Sequence, residues 1–171
     1  MTDARRRALV LRAQSGDREA FDALLEELAP ALLRYVSRVT GDAALAQDIV
    51  QETLIAVVRK ISWLQDPSLF RPWAYRIASR EAFRALRKRR VAVTLEEDVP
   101  AAGYEPPDPW QRERVLASVG KLAPGSRAVI TLHYLEELSL SEVAAVLDLG
   151  INTVKSRLAY GLAQLRKENL T

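Results

Sequence analysis

Residues 139–167 read "SLSEVAAVLDLGINTVKSRLAYGLAQLRK". Ser139 with Glu142 three positions on makes a capping box, a helix start in which side chains satisfy the free backbone N–H groups. Val143, Ala144, Val146 and Leu147 then give a short apolar helix, and Asp148-Leu149-Gly150 a turn. Asn152 is placed to cap a second helix. The apolar face of that helix, Val154, Leu158, Leu162 and Leu165, recurs at spacings of three and four. Its opposite arc holds Asn152, Thr153, Ser156, Ala159 and Tyr160, flanked by Lys155 and Arg157. Two short helices in this layout form a helix-turn-helix, whose second helix enters the DNA major groove N-terminus first. Lys, Ser, Thr and a small apolar residue are suited to reading base edges, and the flanking cations to holding phosphates. An ordinary helical hairpin fits the same apolar pattern; the polar, basic start of the second helix favours DNA.

Moving toward the N-terminus, residues 91–110, "VAVTLEEDVPAAGYEPPDPW", carry five acids and no base. Four of the eight prolines fall at 100, 106, 107 and 109. Nothing there repeats at helical spacing, so the stretch reads as an acidic linker. It divides the chain into an N-terminal domain, 1–90, and a C-terminal domain, 111–171, each of a size at which small helical units fold.

The stretch before the linker is the opposite in charge. "RPWAYRIASREAFRALRKRR", 71–90, holds eight cations against Glu81 alone, a net +7, whereas the whole chain sums to +3. On a helical wheel Ala74, Ala78, Ala82, Ala85 and Leu86 share one arc, and Arg76, Arg80, Arg84 and Arg87 the other. Like charges at i,i+4 repel, so their repetition suggests a partner that supplies anions. Trp73 lies within the basic arc. Cations interleaved with an aromatic suit a surface that tracks a phosphate backbone and stacks on unpaired bases; a partly core position for Trp73 fits equally. The mostly alanine face would insert poorly into a membrane. Earlier still, "GDREAFDALLEELAPALLRYVSRVTGD" reads as helix with a break or kink at Pro30. "DAALAQDIVQETLIAVVRKI" reads as a second helix with Leu45, Ile49, Val50, Leu54, Val57, Val58 and Ile61 on its apolar face, and "SWLQDPSLFRP" as a loop.

A 49% hydrophobic fraction supports packed cores. Few Gly and Pro beside abundant Ala, Leu, Arg and Glu predict an all-α chain of two small helical domains. The absence of cysteine excludes disulfides, thiolate metal sites and a cysteine nucleophile. "MTDARRRALVLRAQSGD" lacks the apolar core and cleavage site of a secretory signal, and no apolar run reaches membrane-span length, so a cytoplasmic protein without membrane insertion is expected.

Taken together, "AQDIVQETLIAVVRKI", "FRPWAYRIASREAFRALRKRR" and "LAPGSRAVITLHYLEELSLSEVAAVLDLGINTVKSRLAYGLAQLRK" resemble, in order and across nearly the whole chain, the extracytoplasmic-function (ECF) sigma factors of bacterial RNA polymerase. The resemblance implies that Asp48, Gln51 and Glu52 dock on the clamp helices of the largest subunit of core polymerase. It implies that the loop around 62–70 captures an unpaired −10 base. Trp73, Arg76, Arg80, Arg84 and Arg87 would then hold and help melt −10 DNA. It also implies that Thr153, Lys155, Ser156, Arg157, Ala159 and Tyr160 serve the −35 element, and that the helices before them meet the polymerase flap. Promoter DNA, core RNA polymerase and an anti-sigma factor are the implied partners, with no cofactor and no metal. The chain departs from the family pattern at Arg80, where Asn is frequent, and at Gly150-Ile151-Asn152, where Pro and then Gly are common.

Two other function classes fit less of the chain. A stand-alone helix-turn-helix regulator leaves the "DIVQET" helix and the basic helix without a role. An enzyme such as a nuclease finds one histidine, His133, and no phosphate loop, metal-ligand cluster or nucleophile–base pair.

Overall fold

In the computed structural model, residues 1–89 and 118–168 are described, and every regular element among them is helical. The expected linker lies outside the described residues. Helices α1 (Asp3–Gln14), α2 (Arg18–Thr40), α3 (Ala43–Lys60) and α4 (Phe70–Lys88) build the first unit. Helices α5 (Pro124–Ile130), α6 (Leu140–Leu147) and α7 (Ile151–Glu168) build the second. A π-helical turn, Thr131–Leu135, continues α5.

Side chains placed by the local sequence set the helix starts. Asp17 accepts from Ala20 N–H at 3.0 Å and Asp42 from Leu45 N–H at 2.9 Å. These backbone bonds hold both carboxyls below the ordinary value of 3.8, with Arg12 and Arg89 respectively assisting. Gly41 ends α2 at φ 69°, a left-handed position that costs glycine nothing. The capping box on Ser139 is complete: Ser139 Oγ accepts from Glu142 N–H at 3.2 Å, and Glu142 accepts from Ser139 N–H at 2.8 Å.

The alanine arc of α4 faces inward as expected, with Ala74, Ala78 and Ala82 fully buried. Tyr75 and Ser79, from the same helix, enter the core too. The Tyr35 and Tyr75 rings meet edge to face at 5.4 Å, and Tyr35 Oη lies 2.7 Å from Ser79 Oγ. Burial drives the phenols of both tyrosines above the ordinary value of 10, and for Tyr75 the nearby Glu136 carboxylate adds to the shift. In the second unit Val143, Val146, Val154, Leu158, Leu162 and Leu165 are buried, with α7 packed on both α5 and α6. At Gly161 a Cβ would come within 2.7 Å of Ile130 Cδ1, so this glycine lets α7 approach α5 closely.

Three expectations change. Helix α2 runs from Arg18 to Thr40 through Pro30 without a break. Proline deprives the helix of one backbone bond, but Leu24, Leu28, Leu32 and Tyr35 on both sides of it are buried on one face, and that packing holds the helix together. The loop after α3 contains two short 3₁₀ turns, Ile61–Trp63 and Pro67–Leu69, and α4 begins at Phe70, before the expected loop end. Pro72 therefore sits in the first turn of α4, where its missing N–H has no intrahelical role. Asn152 is not the cap of α7. That helix begins at Ile151, and Val154 N–H bonds to Gly150 O at 3.1 Å, which places Asn152 inside the first turn.

The two units pack against each other, α4 lying on α6 and α2 on α5. Arg127 of α5 donates through Nη1 to Arg38 O at 2.9 Å and Val39 O at 3.3 Å, taking up carbonyls left free at the end of α2. Its position also suits the negative end of that helix dipole.

Two stability tests follow from these contacts. Ser139→Ala removes one cap and is expected to cost about 1 kcal/mol in urea unfolding. The pH dependence has two limbs. Asp17 and Asp42 titrate lower in the fold than when unfolded, so their contribution is present above pH 3.8 and is lost as pH falls through their folded values. Tyr35 and Tyr75 titrate higher in the fold, so their contribution is full below pH 10 and declines as pH rises beyond it. Thermal melts across both ranges check the signs, and Tyr35→Phe is expected to flatten the alkaline limb.

Candidate nucleic-acid interface

Burying the alanine arc of α4 leaves its cations no choice but the outer face. Arg80, Arg84 and Arg87 are exposed and Arg76 is half-exposed. They are not equivalent. Arg84 is occupied by Glu81 of its own helix at 2.8 Å. Arg76 and Arg80 both reach Asp148 in the turn of the helix-turn-helix, at 3.2 and 3.3 Å. Arg87 has no ion pair among the described residues. A groove of about 490 Å³ runs beside them, with Phe83 and Leu149 on its apolar floor.

Trp73 belongs partly to the interior. It is half-buried and tilted on Phe70 with ring centroids 6.3 Å apart. The aromatic that stands free is Trp63, 75% exposed, on the 3₁₀ turn that opens the loop. Gln14 of α1 steadies that turn by donating to Ile61 O at 2.9 Å and Leu64 O at 2.7 Å. Arg59 and Lys60, exposed at the end of α3, lie four and three residues before Trp63. Sequence reasoning passed over Trp63. The signal available was a Trp in a polar loop segment with no apolar period to place it in a core.

On α3, Asp48, Gln51 and Glu52 form one exposed face. Thr53 beside them turns inward, its hydroxyl donating to Ile49 O at 2.8 Å. The acids are therefore presented to solvent by the apolar face beneath them, formed by Ile49, Val50 and Val57.

At the start of α7 the expected readers separate into two groups. Lys155 is exposed, and Thr153, Ser156 and Tyr160 are half-exposed. Arg157 is only 2% exposed and Ala159 is also buried, so neither is presented on the outer face in this conformation. The cause for Arg157 is Gly125: a Cβ there would lie 2.8 Å from Arg157 Nη1, so the guanidinium occupies the space glycine leaves. Ala159 follows Leu158 onto the face that packs against α5. His133 is structural here, its Nδ1 lying 2.8 Å from Leu138 O. Among the described residues no helix is long and apolar enough to cross a membrane, and no group of three or more acids and histidines is placed to hold a metal ion.

Sequence patterning marks Asp148 only as part of a turn and Glu136 not at all. Glu136 is 4% exposed and accepts from the Tyr75 hydroxyl and, at 3.5 Å, from Arg71 Nη2, although 61 and 65 positions separate it from these partners. No local pattern reports a pairing at that range.

Comparison with known proteins agrees with this geometry unit by unit. Residues 24–91 match the family Sigma-70 region 2, and residues 119–167 match Sigma-70, region 4. The chain is 31% identical over 166 residues to the ECF RNA polymerase sigma factor SigL of Mycobacterium tuberculosis, covering 93% of this chain and 94% of that protein. It is 29% identical over 161 residues to the RNA polymerase sigma factor CarQ of Myxococcus xanthus, covering 91% and 92%. It is 32% identical to the ECF RNA polymerase sigma factor SigE of Mycolicibacterium smegmatis over 89% of this chain, and spans 63% of the length of that relative. Among solved structures it is similar to CnrH in complex with the cytosolic domain of CnrY, with a TM-score of 0.68, 26% identity and coverage of 96% and 97%. The sigma factor RpoE in complex with the anti-sigma factor NepR from Bartonella quintana shares the fold, with a TM-score of 0.67, 24% identity and coverage of 88% and 97%. With both sigma regions present in order on an all-helical chain, and with this identity over nearly the full length of SigL, the protein belongs to the ECF sigma factors of RNA polymerase.

Proposed function

We propose that this chain directs core RNA polymerase to promoters. It binds the clamp helices of the largest subunit through Asp48, Gln51 and Glu52, reads the −35 element with the start of α7, and holds melted −10 DNA on α4. The observation that carries this reading is the combination on one chain of an outward cationic arc on α4 with a capped helix-turn-helix presenting Lys155. Each half alone fits many proteins; a promoter needs both. Lys155, Thr153, Ser156 and Tyr160 are the −35 readers in this proposal, with Arg157 and Ala159 supporting the helix from within. On α4, Arg76, Arg80, Arg84 and Arg87 neutralise strand phosphates, with Trp73 at the edge of their arc. The polymerase supplies the chemistry, and this chain supplies recognition and needs no cofactor. The fold shared with proteins solved in complex with CnrY and NepR supports an anti-sigma partner for this chain as well, and the cytoplasm is where all these partners meet.

The test is run-off transcription with core polymerase, with and without the protein, on the DNA upstream of its own gene. A transcript that depends on the protein is expected. Asp48→Arg is expected to lower it about tenfold or more through lost polymerase binding, since charge reversal at an interface costs several kcal/mol. Lys155→Glu is expected to lower it about tenfold through lost promoter contact. Specific promoter binding without polymerase, together with no transcript, would instead make the chain a stand-alone regulator.

Salt provides a second check. Promoter binding by the holoenzyme should fall steeply with salt, and Lys155→Gln should reduce the slope of log K against log salt by about one. An unchanged slope would remove Lys155 from the phosphate-contacting set.

A further inference from the structure

A slot of about 340 Å³ opens between the start of α4 and α6. Leu64, Leu69, Pro72 and Trp73 line it from the first unit, and Ala145 and Val146 from the second. Leu69 is 47% exposed and Ala145 is exposed too, so the lining is apolar surface left in contact with water. Removing such surface from water is favourable. Small-molecule sites begin at about this size and have this make-up, an apolar lining with a few placed polar groups. Three polar residues complete the lining: Ser141, Glu142 and Arg76. The first two are committed to the start of α6. Ser141 Oγ lies 3.0 Å from Ser139 Oγ, and Glu142 accepts from Ser139 N–H at 2.8 Å and Ser139 Oγ at 2.7 Å. Arg76 is not fully used. Its Nη2 donates to Asp148 at 3.2 Å, but its Nε is shut off from water and has no hydrogen-bond partner. A shielded donor without an acceptor is destabilising.

We propose that this slot binds a neutral small molecule with an aromatic body and one carbonyl acceptor. Charge decides the first property. Asp148 already balances Arg76, and Glu142 adds a second carboxylate to the lining. An anion would gain little from Arg76 and be repelled by two acids, and a cation would meet the guanidinium itself. Arg76 lacks an acceptor, not a counter-charge, and a carbonyl oxygen supplies one without bringing a charge. Trp73 decides the second property, since a half-buried indole face favours a ring laid against it. In the bound state the ring lies between Trp73 and Val146, and the Arg76 Nε–H donates to the carbonyl. The guanidinium turns to present that N–H. Its tether is the exposed pair with Asp148, a kind of contact that contributes little and yields readily. The site asks nothing of how α4 meets DNA.

Three single-ring compounds of similar size separate these properties: acetophenone, a neutral ketone; ethylbenzene, which has no acceptor; and benzoate, which has acceptors and a charge. Each is titrated into the isotope-labelled full chain, and the indole N–H resonance of Trp73, assigned by its loss in Trp73→Phe, is followed by NMR. Acetophenone is expected to shift that resonance and to bind about tenfold tighter than ethylbenzene, the effect of satisfying one shielded donor. Benzoate should bind more weakly than acetophenone. Ala145→Phe adds a ring at an exposed position of the lining; it should fill the slot and abolish acetophenone binding without lowering the melting temperature. Arg76→Lys keeps a cation beside Asp148 and removes Nε, so acetophenone should fall to the affinity of ethylbenzene while ethylbenzene itself is unchanged. Equal binding of acetophenone and ethylbenzene, or tighter binding of benzoate, overturns the assigned chemistry. Acetophenone binding that survives Ala145→Phe in a folded chain, or a Trp73 resonance that none of the three compounds moves, overturns the site.

Discussion

The close approach that three alanines allow is the constraint on which this architecture depends. Ala74, Ala78 and Ala82 are buried to zero exposure, and a larger residue at any of them would push α4 off α2 and α3. Between those alanines Tyr75 brings its ring and Ser79 its hydroxyl into the core, where Tyr35 of α2 meets the ring edge to face and pairs with the hydroxyl. A buried hydroxyl without a partner would cost more than the bond it makes contributes, so this pairing fixes the rotation of α4 about its axis. Once that rotation is set, the position of Arg76, Arg80, Arg84 and Arg87 follows from helix periodicity alone. The cationic face is a consequence of the core rather than a separate design.

The second unit is held by a different device. Glu136 brings a carboxylate into the seam between the units, where an unpaired charge would be heavily penalised. The π-helical turn Thr131–Leu135 precedes it, and one extra residue in a helical turn re-aims the side chains that follow, a feature frequent at functional positions. Tyr75, Arg71 and the Arg71 bond to Glu136 O at 3.0 Å complete its partners. Tyr75 therefore serves twice, its ring in the first core and its hydroxyl in the seam. The interior of one unit and its orientation against the other are coupled through a single side chain.

How far the sequence reveals this depends on the range of each interaction. The capping box of Ser139 and Glu142, the alanine arc and the apolar periods of α3 and α7 are set by neighbours within four residues and are legible, except that Val58, expected on the apolar face of α3, is 50% exposed. Pro30 misleads because a local preference for breaking a helix is outweighed by leucines packed on both sides of it. Arg157 misleads because a wheel drawn for α7 alone cannot know that Gly125 leaves room for a guanidinium in the interior. Trp63 and Trp73 look alike as letters; only the tertiary position of Phe70 draws Trp73 inward and leaves Trp63 in solvent. Glu136 and Asp148 pair at separations of more than sixty residues, where no periodicity carries information.

The two acids illustrate a division of labour that magnitudes make plain. A buried carboxylate with a phenol and a guanidinium as partners is costly to expose, so Glu136 sets register: it resists small displacements and favours one arrangement of the units. An exposed carboxylate shared by two arginines is cheap to replace, because water and salt already screen it. Were Asp148 as buried as Glu136, the cations beneath it would be lost to any partner. Were Glu136 as exposed as Asp148, the seam would lose its buried polar anchor and the register of the two units would rest on Arg127 and the helix packing alone. A seam that positions firmly at one point and only loosely at another holds the two units in register while Arg80, Arg84 and Arg87 stay exposed.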